Sequence, residues 1–184
     1  MTRRHLGVRR LAGLSALILV AGGLAAVLAP GAVAQAAVTS GATYTVINLN
    51  SGKCVDARAA ATANGTAVQQ YDCNGTTAQQ WVFTATSGGY FDVGVSTSSA
   101  QVWDDTNVSP SSGSPIQLWT YGGGTNQQWK PVVNANGTYS FMPRNSSNEC
   151  LDVTNRSTST GTVLQQWACT SGDTAQTFTL SAQS

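Results

Sequence analysis

Positive charge and histidine are scarce in most of this 184-residue chain. The only histidine, His5, and four of the nine basic residues lie within the first ten positions. From residue 37 onward five basic residues remain beside eight acidic ones, which leaves a net charge of about minus three. A chain without a basic patch cannot displace counterions from a phosphate backbone, and it gains nothing from an anionic membrane surface. We therefore expect neither a nucleic acid nor a membrane as its partner.

The sequence also lacks the residue sets on which common catalytic and metal sites depend. Beyond residue 36 there is no histidine to act as a general base, and Glu149 is the only glutamate. No Gly-x-Ser-x-Gly sequence provides a nucleophile, and no closely spaced cysteine and histidine residues provide a zinc site. We expect a protein that is not an enzyme and that holds no cofactor or metal.

A long uninterrupted apolar run is missing as well. Residues 1–36 combine four arginines, an apolar stretch over 11–28 and an Ala-Gln-Ala ending, a pattern typical of a secretory signal peptide. A retained membrane anchor is the alternative, but it needs about 20 apolar residues, and glycine and serine interrupt this stretch. We predict that residues 1–36 are removed, that the protein is secreted, and that residues 37–184 form one domain.

What the sequence does contain is a threefold internal repeat. The segments 68–71 (VQQY), 116–119 (IQLW) and 164–167 (LQQW) follow one another at intervals of 48 residues. Aspartates at positions 56, 104 and 152 keep the same interval. A fixed period of this length indicates a repeat architecture, here with units at roughly 40–87, 88–135 and 136–184.

The four cysteines lie in the first and third repeats. Cys54 and Cys73 are 19 residues apart, and so are Cys150 and Cys169. Equal spacing in equivalent units predicts one disulfide in each, as an oxidising compartment permits, and closing such a loop contributes about 3 kcal/mol. Free thiols or a metal site are the alternatives. The middle repeat has Val102 and Tyr121 at these positions, where apolar packing is expected instead of a bridge.

Secondary structure is expected to be β throughout. No segment shows the 3.6-residue period of a helix, whereas short runs are rich in β-branched and aromatic residues, for example at 44–47, 80–83, 89–93, 128–132 and 138–141. Asn-Gly and Gly-Gly turn signals separate these runs. About four short strands fit into each unit, and three units that share one core predict an all-β fold, a β-trefoil with pseudo-threefold symmetry.

These residues resemble the ricin B-chain-like lectins, which include the family-13 carbohydrate-binding modules. The similarity covers residues 37–184 and is carried by a thrice-repeated Gln-x-Trp motif at 79–81, 127–129 and, as Gln-Thr-Phe, at 176–178. Cys-Leu-Asp-Val at 150–153 and Gln-Leu-Trp at 117–119 belong to the same pattern. The resemblance implies a monomeric lectin that binds galactose-type sugars or xylan-like polysaccharide in several shallow pockets.

The chemistry of sugar recognition selects one pair of residues in each repeat. A pyranose offers vicinal hydroxyls, which suit a carboxylate, and an apolar C–H face, which lies well on an aromatic ring. In every repeat an aspartate precedes an aromatic residue by 15 positions. The three pairs are Asp56 with Tyr71, Asp104 with Trp119, and Asp152 with Trp167.

The resemblance adds amide side chains to each of these pairs. The middle repeat alone has the full set, with Gln117, Asn126 and Gln127 beside its pair. The first repeat has Gln69 and Gln79, and the third has Gln165 and Gln176, but Ala78 and Ala175 stand where the asparagine is expected. One missing hydrogen bond costs about 0.5 to 1.5 kcal/mol. We predict that the middle site is the strongest, followed by the first and then the third, although Asp105 adds a second carboxylate beside Asp104 in the middle repeat.

Other roles for the repeated residues stay open at this level. Trp81, Trp129 and Phe178 are expected in the core, whereas Gln79, Gln127 and Gln176 either satisfy backbone groups or orient the carboxylate. The aspartate and aromatic pairs themselves could serve only turns and barrel packing. A trefoil protease inhibitor is the main alternative function. A glycoside hydrolase is less favoured, because it needs two carboxylates about 5 to 9.5 Å apart and these aspartates are distributed one per repeat.

Overall fold

A computed structural model of the chain describes residues 37–183, which form twelve β-strands. The predicted signal peptide lies outside the described residues. The helices among residues 37–183 are 3-10 turns of three residues, none of them long enough to span a membrane. The strands are β1 (Ala42–Asn48), β2 (Cys54–Ala57), β3 (Val68–Tyr71), β4 (Trp81–Ala85), β5 (Phe91–Val95), β6 (Ser98–Asp105), β7 (Ile116–Thr120), β8 (Trp129–Val133), β9 (Tyr139–Pro143), β10 (Glu149–Val153), β11 (Leu164–Ala168) and β12 (Phe178–Ala182).

Six of these strands close into a barrel, and the other six form three hairpins. Each repeat supplies four strands, of which the first and fourth pair around the ring β1-β4-β5-β8-β9-β12 and back to β1, always antiparallel. The second and third strands pair as the hairpins β2–β3, β6–β7 and β10–β11. A closed six-stranded ring with three hairpins is the β-trefoil that the 48-residue period predicts.

The three hairpins are joined in a cycle by main-chain hydrogen bonds. Gly65 in the first repeat donates to the Leu118 carbonyl of the second at 2.8 Å, and Gly113 donates to Gln166 of the third at 2.8 Å. Gly161 closes the cycle on Gln70 of the first repeat, also at 2.8 Å. Each repeat therefore satisfies backbone groups of its neighbour, which explains why one repeat is not expected to fold alone.

The aromatic residues of the Gln-x-Trp motifs lie in the core, as predicted. Trp81, Trp129 and Phe178 are fully buried. The Trp81 indole donates to the Val55 carbonyl at 2.9 Å, and the Trp129 indole donates to the Trp103 carbonyl at 3.1 Å. These bonds attach the first and second hairpins to the barrel, because the indole belongs to a barrel strand and the carbonyl to a hairpin strand; Phe178 has no donor for such a bond in the third repeat.

The disulfides connect Cys54 with Cys73 and Cys150 with Cys169, which confirms the pairing predicted from their spacing. Each cross-links one side of a hairpin to the loop that follows it. In the middle repeat Val102 is buried, but Tyr121 is 37% exposed. The expected apolar replacement of the bridge is therefore found only on the Val102 side, because position 121 lies in a loop whose equivalent residue in the first repeat, Cys73, is also exposed.

Candidate functional site

Strand register places an aspartate directly opposite a glutamine in every hairpin. In each hairpin the aspartate lies near the end of the first strand. The second, antiparallel strand carries the VQQY, IQLW or LQQW segment, whose first glutamine lies directly opposite the aspartate. In all three cases the glutamine amide donates to the carboxylate. The bonds are Gln69 Nε2 to Asp56 Oδ1 at 2.9 Å, Gln117 Nε2 to Asp104 Oδ1 at 3.0 Å, and Gln165 Nε2 to Asp152 Oδ1 at 2.9 Å.

The glutamines of the first two Gln-x-Trp motifs, Gln79 and Gln127, perform both of the roles that the sequence left open. Gln127 Nε2 donates to Asp104 Oδ2 at 3.0 Å and to the Thr120 carbonyl at 3.0 Å, while its oxygen accepts from the Gly122 amide. Gln79 acts in the same way on Asp56 Oδ2 at 3.2 Å and on the loop after β3. A single buried amide thus fixes both the carboxylate and the loop beside it.

Only the second repeat adds an asparagine to this arrangement. Asn126 Nδ2 donates to Asp104 Oδ2 at 2.8 Å and to the Asp105 carbonyl at 3.1 Å. Three amides therefore hold Asp104, and the buried carboxylate keeps about one of its four acceptor positions for a ligand. The Asn126 oxygen has no hydrogen-bond partner among residues 37–183, so it provides a second acceptor next to the carboxylate.

The aromatic residue of each pair points to solvent. Tyr71, Trp119 and Trp167 are 40%, 44% and 46% exposed, although the residue directly before each of them in the strand is buried. A ring that served only barrel packing would be buried like Trp81, so packing does not account for these three side chains. Each exposed ring comes two residues after the glutamine that binds the aspartate, so both side chains lie on the same face of the strand. Each ring lines the same cleft as the aspartate.

Three shallow clefts result, one in each repeat. Their volumes are about 300 Å³ in the first repeat, 510 Å³ in the second and 330 Å³ in the third. The aspartates, hairpin glutamines and aromatic residues predicted from the sequence line these clefts, and Asn126 and Gln127 line the second. Gln79 and Gln176 lie behind the clefts, where they brace the carboxylate or the adjoining loop.

A strained turn forms the remaining wall of each cleft, and the sequence did not predict it. Directly after each aspartate strand, two successive residues adopt left-handed backbone conformations, with φ between 53° and 62°. They are Ala59 and Ala60, Asn107 and Val108, and Asn155 and Arg156. The 48-residue spacing of Asn107 and Asn155 was the available signal, because asparagine tolerates this conformation better than most residues. The third turn also places Arg156 in an ion pair with Asp173 at 2.8 Å.

Burial changes the acidity of all three cleft carboxyls. It raises the pKa of Asp104, and hydrogen bonds from Gln117, Gln127 and Asn126 offset part of that increase. Burial raises the pKa of Asp56 and of Asp152 for the same reason. Because these folded-state pKa values lie above the ordinary value of 3.8, the carboxyls bind protons in the folded protein before they do so in the unfolded chain.

Acidification is therefore expected to remove ligand binding before it removes the fold. A protonated Asp104 loses an acceptor for a ligand hydroxyl, so affinity should fall as the pH decreases from neutral toward 3.8. Over the same interval these three carboxyls increase the free energy of unfolding, since the folded state binds the protons. Ligand titration and thermal unfolding across this pH range test the prediction. A melting temperature that decreases in parallel with affinity would contradict it.

Gly124 is expected to be required for the second cleft, because of its contact with Asn126. A Cβ at position 124 would lie 2.5 Å from Asn126 Oδ1, whereas a Cβ at Gly122 would meet nothing closer than 3.8 Å. Gly124→Ala should displace the Asn126 amide from Asp104 and weaken binding at this site by about three- to tenfold, the value of one hydrogen bond. Calorimetry against Gly122→Ala as the matched control tests this. Equal affinities of the two variants would show that Asn126 has no role.

Comparison with known proteins agrees with this geometry. A family model described as the ricin-type beta-trefoil lectin domain matches residues 42–178, and the protein belongs to that family. The fold and the threefold cleft thus define a trefoil of the lectin class. A search of curated proteins found no match.

Solved structures include several with the same fold. A designed threefold-symmetric protein, ThreeFoil, is 34% identical, with a TM-score of 0.72 over 75% of this chain and 96% of that one. An exo-beta-1,3-galactanase from Clostridium thermocellum is 30% identical, with a TM-score of 0.72 over 77% of this chain but only 30% of the enzyme. The Macrolepiota procera ricin B-like lectin, solved with lactose, is 20% identical over 79% of this chain and 99% of that one, with a TM-score of 0.68, and shows the shared fold.

Proposed function

We propose that this protein is a secreted, non-catalytic lectin whose three clefts bind galactose-type sugars or xylan-like polysaccharide. The observation that carries the proposal is the threefold combination of a buried, amide-held carboxylate with an exposed aromatic ring. The carboxylate and nearby amide oxygens accept hydrogen bonds from vicinal hydroxyls, and the ring receives the apolar face of the sugar. The lactose in the Macrolepiota procera lectin supports this ligand class.

Binding strength is expected to come from several clefts acting together. A single shallow cleft that holds one sugar by a carboxylate and one ring should have a dissociation constant near 1 mM, or about 4 kcal/mol. Three clefts on one rigid barrel can contact the same polymer or surface, which increases the effective affinity by about 10² to 10⁴ without any new contact. The proposed ligand is therefore a polymer or a surface that displays many copies of the sugar.

Secretion is supported by two independent features. Residues 1–36 have the composition of a signal peptide, and the two disulfides are compatible with an oxidising compartment. In each cleft neutral amides brace the hairpin aspartate, which provides acceptors for a sugar. The third cleft also contains Asp173, but that carboxylate is paired with Arg156 and is not placed as a proton donor opposite a nucleophile.

Retention on carbohydrate, combined with a hydrolysis assay, tests the proposed function. The exported protein should be retained on insoluble xylan or on a galactose-type resin, should be eluted by free sugar, and should release no reducing sugar. Hydrolysis by homogeneous protein would contradict a purely binding role. Inhibition of a protease without any retention would favour the inhibitor alternative.

A further inference from the structure

The three clefts share the aspartate, the hairpin glutamine and the aromatic ring, but they differ in the loop residues that line one wall. In the first repeat the side chains of Asn74 and Thr76 line the cleft, and in the third repeat Thr170 and Asp173 do so. The second cleft has Gly122 and Gly124 in this wall. By the 48-residue spacing Gly122 is equivalent to Asn74 and Thr170, so the second repeat lacks a side chain that both of its neighbours have.

The two glycines are present for different physical reasons. Gly124 is needed because a Cβ there would collide with the Asn126 oxygen at 2.5 Å. Gly122 is under no such constraint: its φ lies outside the left-handed region, and the atom nearest to an added Cβ is 3.8 Å away. A side chain would be tolerated at position 122, and its absence leaves open space along the cleft.

The opposite lining of the second cleft, at residues 106–108, carries no charged side chain. Val108 is 56% exposed and takes a left-handed conformation, with φ of 53°, that is especially unfavourable for a β-branched residue. Its counterparts are Ala60 and Arg156, and in the third cleft Arg156 is paired with Asp173. Asp104 is the only charged residue that lines the second cleft, which is also the largest of the three at about 510 Å³.

We infer that the second cleft binds a neutral oligosaccharide of at least two linked sugar units, whereas the first and third clefts bind one unit each. One unit lies against Asp104 and Trp119, and the next lies along the side-chain-free wall at Gly122 and Gly124. This inference rests on the proposed function and specifies its ligand. The second cleft would recognise the interior of a chain or a disaccharide end, and the other two would add single contacts on the same polymer.

Isolation of the second cleft makes this testable. In a protein that carries Asp56→Ala and Asp152→Ala, calorimetry should show that xylotriose binds about tenfold or more tightly than xylose, or lactose than galactose, a difference of about 1.4 kcal/mol. Gly122→Asn installs the residue of the first repeat. It should bring this ratio close to one, while the affinity for the single sugar changes by less than about twofold.

Gly123→Asn is the matched control. Gly123 has φ of 78° with nothing within 4 Å of an added Cβ, it does not line the cleft, and asparagine tolerates this conformation. The control should keep the preference for linked sugars. Equal affinity of the starting protein for single and linked sugars, or an equal loss of both in Gly122→Asn, would overturn this inference alone. Binding of none of the four sugars would overturn the proposed function together with it.

Discussion

Asp104→Ala is expected to weaken monosaccharide binding more than Asp56→Ala or Asp152→Ala. Asp104 is held by three amides, so its removal eliminates the acceptor and also releases Gln117, Gln127 and Asn126 from their positions. Loss of a hydrogen bond to a charged group costs about 1.5 to 3 kcal/mol, which corresponds to about a 10- to 150-fold decrease in affinity. Titration calorimetry of the three variants measures the order directly.

Trp119→Ala should have a comparable effect, larger than that of Tyr71→Ala or Trp167→Ala. Its ring is 44% exposed, so little packing is lost and the fold should be retained, as circular dichroism would show. Asp72→Ala is the matched control for the three aspartate variants, because Asp72 is an exposed aspartate that pairs with Lys53 outside the clefts. Undiminished binding after loss of Asp104 or Trp119 would contradict the ranking of the second site.

Loss of the disulfides is expected to have the largest effect on stability. Each bridge spans 19 residues, and replacing Cys54 and Cys73, or Cys150 and Cys169, with serine should lower the free energy of unfolding by about 3 kcal/mol. Removal of both should lower it by about twice that amount, since the bridges lie in different repeats. Chemical denaturation of the two paired variants and of the fourfold variant measures this.

Both disulfides lie outside the second repeat, so ligand binding by the second cleft provides a control for the effect of reduction. The second repeat has Val102 and Tyr121 in place of cysteines, so a reductant should leave the second cleft unaltered while the protein remains folded. Ligand titration with and without reductant, below the unfolding temperature, tests this. Peptide mapping that linked Cys54 to Cys150 would contradict the assignment of the repeats.

The regular part of this structure could be predicted from sequence, because it depends on a period. The 48-residue spacing gives three equivalent hairpins, and strand alternation then brings Asp104 opposite Gln117 and buries Trp129. The same spacing predicts both disulfides. Each of these features follows from a repeated residue type in a repeated local geometry.

The parts that could not be predicted depend on differences between the repeats and on contacts across them. The left-handed pairs such as Ala59 and Ala60 have no single residue type in common, because the closed hairpin imposes the conformation. The second cleft has Gly122 and Gly124 in its wall, and the requirement for Gly124 is visible only when the position of Asn126 is known. Tyr121 is exposed because its loop position faces solvent, as that of Cys73 does in the first repeat.

Retention on polysaccharide by the unaltered protein and by an Asp56→Ala, Asp104→Ala, Asp152→Ala triple variant tests the central claim most directly. The unaltered protein should be retained on insoluble xylan or on a galactose-type resin, single variants should be eluted earlier, and the triple variant should pass through while it unfolds at a similar temperature. Retention of the folded triple variant, or passage of the unaltered protein through every such matrix, would contradict the account.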